Sequence, residues 1–206
     1  MKKIRNWILI LAGCLTVQAA NAQIRPPLSI DGNYAIGTPL GSLKDYSNKT
    51  SFRGWGAGIQ YMFNDQWAVG LRSGYQDFYQ RLPRAVYHDA QGDVSAVQTR
   101  TLEVIPIQAT VSYSFLKQDM PVLPYLMVGV GTAHMNYEKY WGQFVDKDGS
   151  WQFLVSPEIG INVPFGKGSP LMFNANARYN YAPYSYGDIS NFSSFQWNVG
   201  LKLHIY

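Results

Sequence analysis

The stretch FQWNVGLKLHIY, residues 195–206, alternates between apolar and other side chains from its first residue almost to its last. Its large apolar residues stand at every second position: Phe195, Trp197, Val199, Leu201, Leu203 and Ile205. Successive side chains of a β-strand point to opposite faces of the sheet, so this pattern predicts a strand with one apolar face. About ten residues are enough for a tilted strand to cross a lipid bilayer. The stretch is therefore long enough for a membrane-spanning strand.

The same alternation recurs along the rest of the chain, giving eight segments in all. They are residues 28–37, 55–63, 66–76, 105–115, 124–135, 151–165, 171–181 and 195–206. The connections at 64–65, 117–123 and 166–170 are short, and those at about 38–51, 79–100, 137–150 and 182–193 are long. Short turns at one end and long loops at the other are typical of outer-membrane barrels. We therefore predict an all-β fold, an eight-stranded antiparallel up-and-down transmembrane β-barrel.

The residue types on the two faces indicate which side meets lipid. A soluble barrel of the lipocalin type has apolar residues inside, whereas a membrane barrel has them outside. Here the polar face is rich in Gly, Asn, Gln, Ser and Thr, which suit a narrow interior, and it carries few charges. Those charges are Asp31, Arg72, Glu158, Arg178 and Lys202. We predict that they form an ion-pair network filling the lumen; a charged gate or small-ion path is the alternative.

Aromatic residues lie near the ends of several segments: Trp55, Phe63, Trp67, Tyr113, Phe115, Trp151, Phe165 and Tyr181. Membrane barrels concentrate aromatic side chains in girdles at the two membrane–water interfaces. These positions therefore favour the membrane barrel over the soluble one. Pro106 and Pro157 fall inside strand patterns, where proline removes a ladder donor, and predict bulges near the rim.

The N-terminal segment has the features of a secretory signal peptide. Lys2, Lys3 and Arg5 precede an apolar run that is too short to span a membrane, and Ala20-Asn21-Ala22 forms a cleavage site before Gln23. We predict a signal peptide at 1–22, removed on export, and a barrel domain at 23–206. A lipoprotein cleavage site at Cys14 is a less favoured alternative.

Removal of residues 1–22 changes the charge and the redox chemistry of the chain. The 17 Lys and Arg fall to 14 because three lie in that segment, and all 13 Asp and Glu remain. The net charge of the mature chain is therefore +1, which leaves no excess of basic residues for binding nucleic acid. The single cysteine is Cys14, so the mature chain has no disulfide and no thiolate chemistry.

Five sequence stretches resemble one known family. SFRGWGAGIQYMF, IPIQATVSYSF, PYLMVGVG, SPEIGINVPF and RYNYAP are similar to the outer-membrane β-barrel domain family of Bacteroidetes-type bacteria, related in architecture to the OmpA and OmpW transmembrane domains. The aromatic Tyr206 resembles the C-terminal recognition signal of such barrels, although Ile205, not Tyr206, is in phase with the apolar face. The resemblance implies a Gram-negative outer-membrane location. It also implies contact with outer-membrane lipid and lipopolysaccharide, and insertion by the barrel-assembly machinery.

Catalytic and metal-binding motifs are weak in this sequence. His88, His134 and His204 lie far apart, without the HExxH spacing, and GxSxG is absent. We predict no enzyme activity, no cofactor and no metal. A lipid-modifying barrel enzyme using His134 with Ser190, Ser193 or Glu138 is a minor alternative.

The long loops carry the residues that favour binding. The candidate loop surface consists of Arg81, Arg84, Tyr140, Trp141, Phe144, Tyr184 and Tyr186. We predict a structural role or binding through these loops, with lipopolysaccharide phosphates or an unknown envelope protein as partner and no role for nucleic acid. A narrow pore for small solutes, an accessory subunit of an envelope assembly machine and a soluble carrier remain open.

Overall fold

The computed structural model describes residues 28–89, 92–115, 121–142, 144–166 and 168–205, with the side chains of 87–89 and 92–94 left aside. The predicted signal peptide, Cys14 and Tyr206 lie outside the described residues.

The described chain forms one closed antiparallel β-barrel in which each strand pairs with the next and the last pairs with the first. Its elements are β1 (Leu28–Leu40), α1 (Ser42–Tyr46), β2 (Ser51–Met62), β3 (Trp67–Asp89), β4 (Gly92–Ser114), β5 (Leu123–Trp141), β6 (Phe144–Pro164), β7 (Leu171–Ala182) and β8 (Phe192–Ile205). The predicted fold class and strand number are confirmed. Within the described ranges, no helix has the length and apolar character needed to cross a membrane.

The C-terminal strand closes the barrel along its whole length. β8 pairs with β1 from Leu28 opposite Ile205 to Leu40 opposite Ser193. The described strands therefore close without a hydrogen-bonding edge at the level where all eight are present. In a bilayer an open edge costs several kcal/mol for each unpaired backbone group. This requirement explains why the terminal alternating stretch is so long.

The apolar face points outward and the polar face inward, as the membrane barrel requires. Leu71 and Trp151 are 62% and 58% exposed, whereas Gln108 and Asn198 are only 2% and 3% exposed. The soluble-carrier alternative is wrong, because it would place the tryptophans inside. The predicted girdle residues lie on the outer surface, where Trp67, Tyr113 and Phe115 pack edge to face in a row.

Two of the four predicted long loops are instead extensions of the sheet. The range 79–100 is mostly a hairpin made by the upper parts of β3 and β4, and 137–150 is mostly a hairpin of β5 and β6. The backbone stays extended there while the outer face becomes more polar, so the apolar alternation that predicted the strands is lost. The remaining two loops, after β1 and β7, are irregular apart from α1 and a bridge between Tyr186 and Ile189.

The predicted bulges at the two prolines are wrong. Around Pro106 the pairing of β4 with β3 is interrupted but resumes in the same register, and around Pro157 the pairing of β6 with β7 does the same. Each proline lacks the backbone N–H that would complete the ladder, so a local gap replaces the bulge. The register shifts occur elsewhere, between Ala35 and Gly37 in β1 and between Leu82 and Ala85 in β3.

The seam between β1 and β8 contains two glycines with opposite surroundings. A Cβ atom at Gly200 would lie 2.0 Å from the carbonyl oxygen of Gly32, whereas a Cβ atom at Gly32 would meet nothing within 4 Å. We expect Gly200→Ala to lower the free energy of unfolding by about 1–3 kcal/mol, because the seam must shift to admit the methyl group. The midpoint of the heat-dependent mobility shift on SDS gels measures this loss. Gly32→Ala is the matched control, and equal midpoints for both variants would contradict the tight seam.

Candidate functional site

The charged side chains of the inner face converge on one carboxylate. Arg72 on β3 donates from Nη1 to Oε2 of Glu158 at 2.6 Å, and Arg178 on β7 donates from Nε to the same oxygen at 2.8 Å. Tyr125 donates its hydroxyl to the other oxygen, Oε1, at 2.8 Å. Because β3 and β6 are not neighbours in the barrel wall, the Arg72–Glu158 pair bridges the lumen. We call these four residues the lumen cluster.

The other two predicted interior charges lie beside the lumen cluster without a direct ion pair to it. Lys202 donates from Nζ to Oε1 of Gln60 at 2.8 Å, and Asp31 accepts from the Asn33 amide at 2.9 Å. The Asp31 carboxylate is near enough to interact electrostatically with both Arg72 and Lys202. The five predicted residues therefore share one interior, with three positive and two negative charges.

A glycine provides the space that the lumen cluster needs. A Cβ atom at Gly160 on β6 would lie 2.6 Å from both Cζ and the hydroxyl oxygen of Tyr125. Any larger residue would therefore displace the tyrosine hydroxyl from Glu158. The hydroxyl oxygen of Tyr125 also accepts a hydrogen bond from Nδ2 of Asn174 at 3.0 Å. This contact orients the hydroxyl so that its hydrogen points toward the Glu158 carboxylate.

Amide side chains fill the lumen around the charges. One chain of amide-to-amide hydrogen bonds, each between 2.7 and 2.9 Å, runs through Asn198, Asn176, Asn174 and Asn162. A second group joins Gln108 to Asn180 through the Ser156 hydroxyl, at 2.9 and 2.7 Å. Buried polar groups need such partners because an unpaired one retains its full desolvation penalty. The cavity beside Arg178 measures only ≈ 20 Å³, which is room for about one water.

The extracellular mouth of the barrel is closed by a cluster of buried apolar and aromatic side chains, which we call the mouth plug. Its members are Leu43, Tyr46, Phe78, Leu102, Val104, Ala133, Met135, Tyr137, Leu154, Ala182, Tyr184, Ile189 and Phe192. They come from α1, from the upper strands and from the loop after β7. The mouth plug was not predicted from the sequence. The apolar pair Leu43 and Tyr46, spaced to lie on one face of a short helix, was the available signal.

Hydrogen bonds fix α1 over the mouth plug. Ser42 donates its hydroxyl to the carbonyl of Asn191 at 2.8 Å and accepts from the backbone N–H groups of Ser190 and Asn191. Tyr46 donates to the carbonyl of Glu138 at 2.8 Å. Burial raises the pKa of Tyr46 above its ordinary value, so its hydroxyl stays a donor at all physiological pH values.

A family model described as "Outer membrane protein beta-barrel domain" matches residues 7–203 of this chain. The chain belongs to the outer membrane protein beta-barrel domain family. Membership places it in the outer membrane of a Gram-negative bacterium, and the resemblance stated from the sequence is confirmed.

Two solved outer-membrane proteins share the fold of this family member. Neisserial surface protein A is 15% identical with a TM-score of 0.56, and the match covers 86% of this chain and 96% of that one. Ail, the attachment invasion locus protein of Yersinia pestis, is 12% identical with a TM-score of 0.50, covering 85% and 95% of the two chains. Identity this low shows a shared fold alone. No curated protein matches the chain.

The predicted loop surface of the outer-membrane barrel is divided by the structure. Tyr184 is 1% exposed and belongs to the mouth plug, so it is not part of the outer surface. Tyr186 is half-buried against Tyr137, with ring centroids 5.1 Å apart, and donates to Oδ1 of Asp146 at 2.6 Å. Trp141 and Phe144 flank the tip of the β5–β6 hairpin.

The three remaining members of the predicted loop surface come together. Arg81, Arg84 and Tyr140 line one groove between the β3–β4 hairpin and the β5–β6 hairpin. The loop surface is thus partly a groove, partly a hairpin tip and partly interior.

The structure keeps His134 and Ser193, one of the pairs in the enzyme alternative, apart. His134 lies on the outer surface of β5 against Trp151, with ring centroids 5.2 Å apart. Ser193 is buried at the start of β8 and donates to the carbonyl of Leu40 at 3.1 Å. The imidazole packs against β6 and this hydroxyl is hydrogen-bonded to β1, so the two groups are not paired with each other. Within the described ranges, no group of three His, Cys, Asp or Glu is placed to bind a metal ion.

Glu158 is the residue on which the lumen cluster depends most. We expect Glu158→Gln to lower the free energy of unfolding by about 3–5 kcal/mol, because it leaves two buried guanidinium groups without a counter-charge. Urea titration in detergent, followed by tryptophan fluorescence, measures the change. Glu138→Gln makes the same substitution in a partly exposed pair with Lys147, where we expect about 1 kcal/mol or less. Similar losses for the two variants would contradict the assigned role of Glu158.

Proposed function

We propose that this protein is a closed outer-membrane barrel without catalytic activity, which acts through the part that projects beyond the membrane. The observation that carries the proposal is that the interior is filled at two levels. The lumen cluster bridges the barrel within the membrane, and the mouth plug covers it on the extracellular side. A solute path would have to disrupt both levels.

The lumen cluster argues against the narrow-pore alternative. An ion crossing the barrel would have to displace Arg72, Arg178 or Tyr125 from Glu158. Separating a buried carboxylate from its guanidinium partners leaves uncompensated charge in a poorly solvated interior, which costs several kcal/mol. The interior therefore serves to support the wall of the barrel.

The projecting hairpins favour binding as the role of the extracellular part. The two hairpins continue the barrel wall as paired strands beyond the aromatic girdle. Paired strands hold side chains in fixed positions, which lowers the entropy lost when a ligand or partner binds. Outer-membrane lipopolysaccharide is the first candidate partner.

A protein partner in the cell envelope is the second candidate. The ends of the hairpins expose apolar side chains: Val86 is 56% exposed, Val145 48% and Phe144 47%. Exposed apolar groups beyond the membrane, next to charged ones, are typical of protein contact sites. The barrel-assembly machinery remains a proposed partner during insertion, after export by a signal peptide at 1–22.

The closed interior makes a direct prediction about conductance. We expect the purified barrel to give no steady conductance in planar bilayers, after a gel confirms the heat-dependent shift of the folded form. Leu43→Gly with Tyr46→Gly removes α1 from the mouth plug and should still give none, because the lumen cluster remains. Adding Arg72→Ser, Glu158→Ser and Arg178→Ser should open a path. Steady conductance by the unaltered protein would overturn the closed-barrel proposal and support the pore.

A further inference from the structure

We propose that the groove between the two projecting hairpins binds a phosphorylated sugar, with Arg81 and Arg84 holding the phosphate. The groove has a volume of ≈ 460 Å³ and is lined by Tyr79, Arg81, Arg84, Ser95, Ala96, Val97, Thr99, Tyr140 and Gly142. This proposal rests on the proposed function, in which the extracellular part of the barrel binds a ligand, and it names the chemical class of that ligand. We call this site the hairpin groove.

The two arginines of the hairpin groove differ from the other arginines that the structure describes. Arg72 and Arg178 pair with Glu158, and Arg100 lies 4.0 Å from Asp188. On the outer wall, Arg53 pairs with Asp77 at 3.1 Å and lies over the ring of Tyr79. Among the side chains that the structure describes, none is an ion-pair partner of Arg81 or Arg84. Two exposed guanidinium groups without carboxylates in one groove favour an anionic ligand.

Backbone features shape the hairpin groove. The register of β3 with β4 shifts between Leu82 and Ala85, and such an irregularity changes the direction in which neighbouring side chains point. Arg84 lies inside the shifted segment. On the opposite wall, the turn after β5 contains Gly142 with φ of +65°, a conformation that favours glycine. A Cβ atom there would be 3.5 Å from that of Ala96, so the two hairpins are in contact at the groove.

The lining residues indicate the chemical class of the ligand. A guanidinium group matches two phosphate oxygens with two parallel N–H donors, and a pair of arginines balances a phosphate dianion. Ser95, Thr99 and Tyr79 offer hydroxyl groups that can donate to and accept from sugar hydroxyls. Tyr rings and Val97 provide apolar surface for the C–H face of a sugar ring.

A carboxylate near the groove is already neutralised. Tyr140 donates its hydroxyl to Oε2 of Glu138 at 2.7 Å, and Lys147 donates to Oε1 at 2.8 Å. The hydrogen bond from Lys147 lowers the pKa of Glu138, so the carboxylate is charged and paired. It therefore adds little repulsion against a phosphate in the groove.

The position of the hairpin groove favours the sugar layer of the membrane as the source of the ligand. Arg81, Thr99 and Tyr140 are neighbours across three strands and lie on the outer face of the barrel wall, above the aromatic girdle. A groove on this face opens sideways toward surrounding glycolipids instead of into the lumen. A phosphorylated sugar in the head region of a surface glycolipid has the required chemistry, and so does a free sugar phosphate.

Calorimetric titration of the folded barrel in detergent tests the site with glucose 1-phosphate as the probe and glucose as the uncharged comparison. We expect saturable binding of glucose 1-phosphate and none of glucose. Arg81→Gln with Arg84→Gln should weaken binding about tenfold or more, since it removes the charge-assisted hydrogen bonds to the phosphate. Lys49→Gln removes an exposed positive charge outside the groove and should leave the affinity within about twofold.

A steric variant separates a defined site from diffuse attraction. Val97→Trp fills the hairpin groove and keeps every charge, so we expect it to lose binding as the double arginine variant does. The heat-dependent gel shift checks that each variant is folded. Equal affinity of the unaltered protein, the double arginine variant and Val97→Trp would overturn the proposal, and so would binding that never saturates.

Nanodiscs distinguish the two sources of the sugar phosphate. In nanodiscs that contain lipopolysaccharide with its phosphates intact, we expect the backbone amides of the two hairpins to be protected from hydrogen exchange. We expect that protection to be lost when the lipopolysaccharide is enzymatically dephosphorylated, and also in the double arginine variant. This result identifies the surface glycolipid as the source. Calorimetric binding without such protection identifies a free sugar phosphate instead. None of these measurements depends on conductance, so the groove and the closed barrel can fail separately.

Discussion

The pairing of β1 with β8 is the constraint on which the rest of the structure depends. In hydrocarbon there is no water to satisfy backbone N–H and C=O groups, so a sheet can span a membrane only when its two edges meet. Closure along the full length from Leu28 to Leu40 requires that every strand in between also pairs with both of its neighbours. It also leaves one face of every strand against lipid and the other in a narrow interior, which determines the character of both surfaces.

The narrow interior explains the composition of the lumen. Eight strands enclose room for side chains and little else, so each inward residue must fit its neighbours in size and in hydrogen bonding. Asn, Gln and Ser provide short chains of donors and acceptors. Glu158 is surrounded by two guanidinium groups and a tyrosine hydroxyl, which compensate for the loss of its hydration shell. Gly160 leaves space for that tyrosine. The wall and its filling therefore depend on one another.

The sequence predicted the features that follow from the alternation of apolar and polar side chains along each strand. It indicated eight strands, the lipid-facing side and the five inward charges, because lipid outside and polar packing inside maintain the alternation. It did not indicate that Arg72 reaches Glu158, since this depends on how the strands are staggered across the barrel. It also missed the upper hairpins and the mouth plug. Above the membrane the outer face meets water, so apolar alternation fades although the strands continue, and Phe78 and Tyr137 turn inward as an ordinary soluble core.

This change of environment along one strand explains how a closed barrel can still bind. β3 passes from lipid at Leu71, through the level of the mouth plug at Phe78, to water at Arg81 and Arg84. Within the membrane each charge needs a partner inside the protein, because none is available outside. Beyond the girdle, water solvates an exposed guanidinium group, so an unpaired arginine there costs little stability. Positive charge free to bind a ligand can therefore collect on the projecting wall, where the hairpin groove lies, but not on the wall within the membrane.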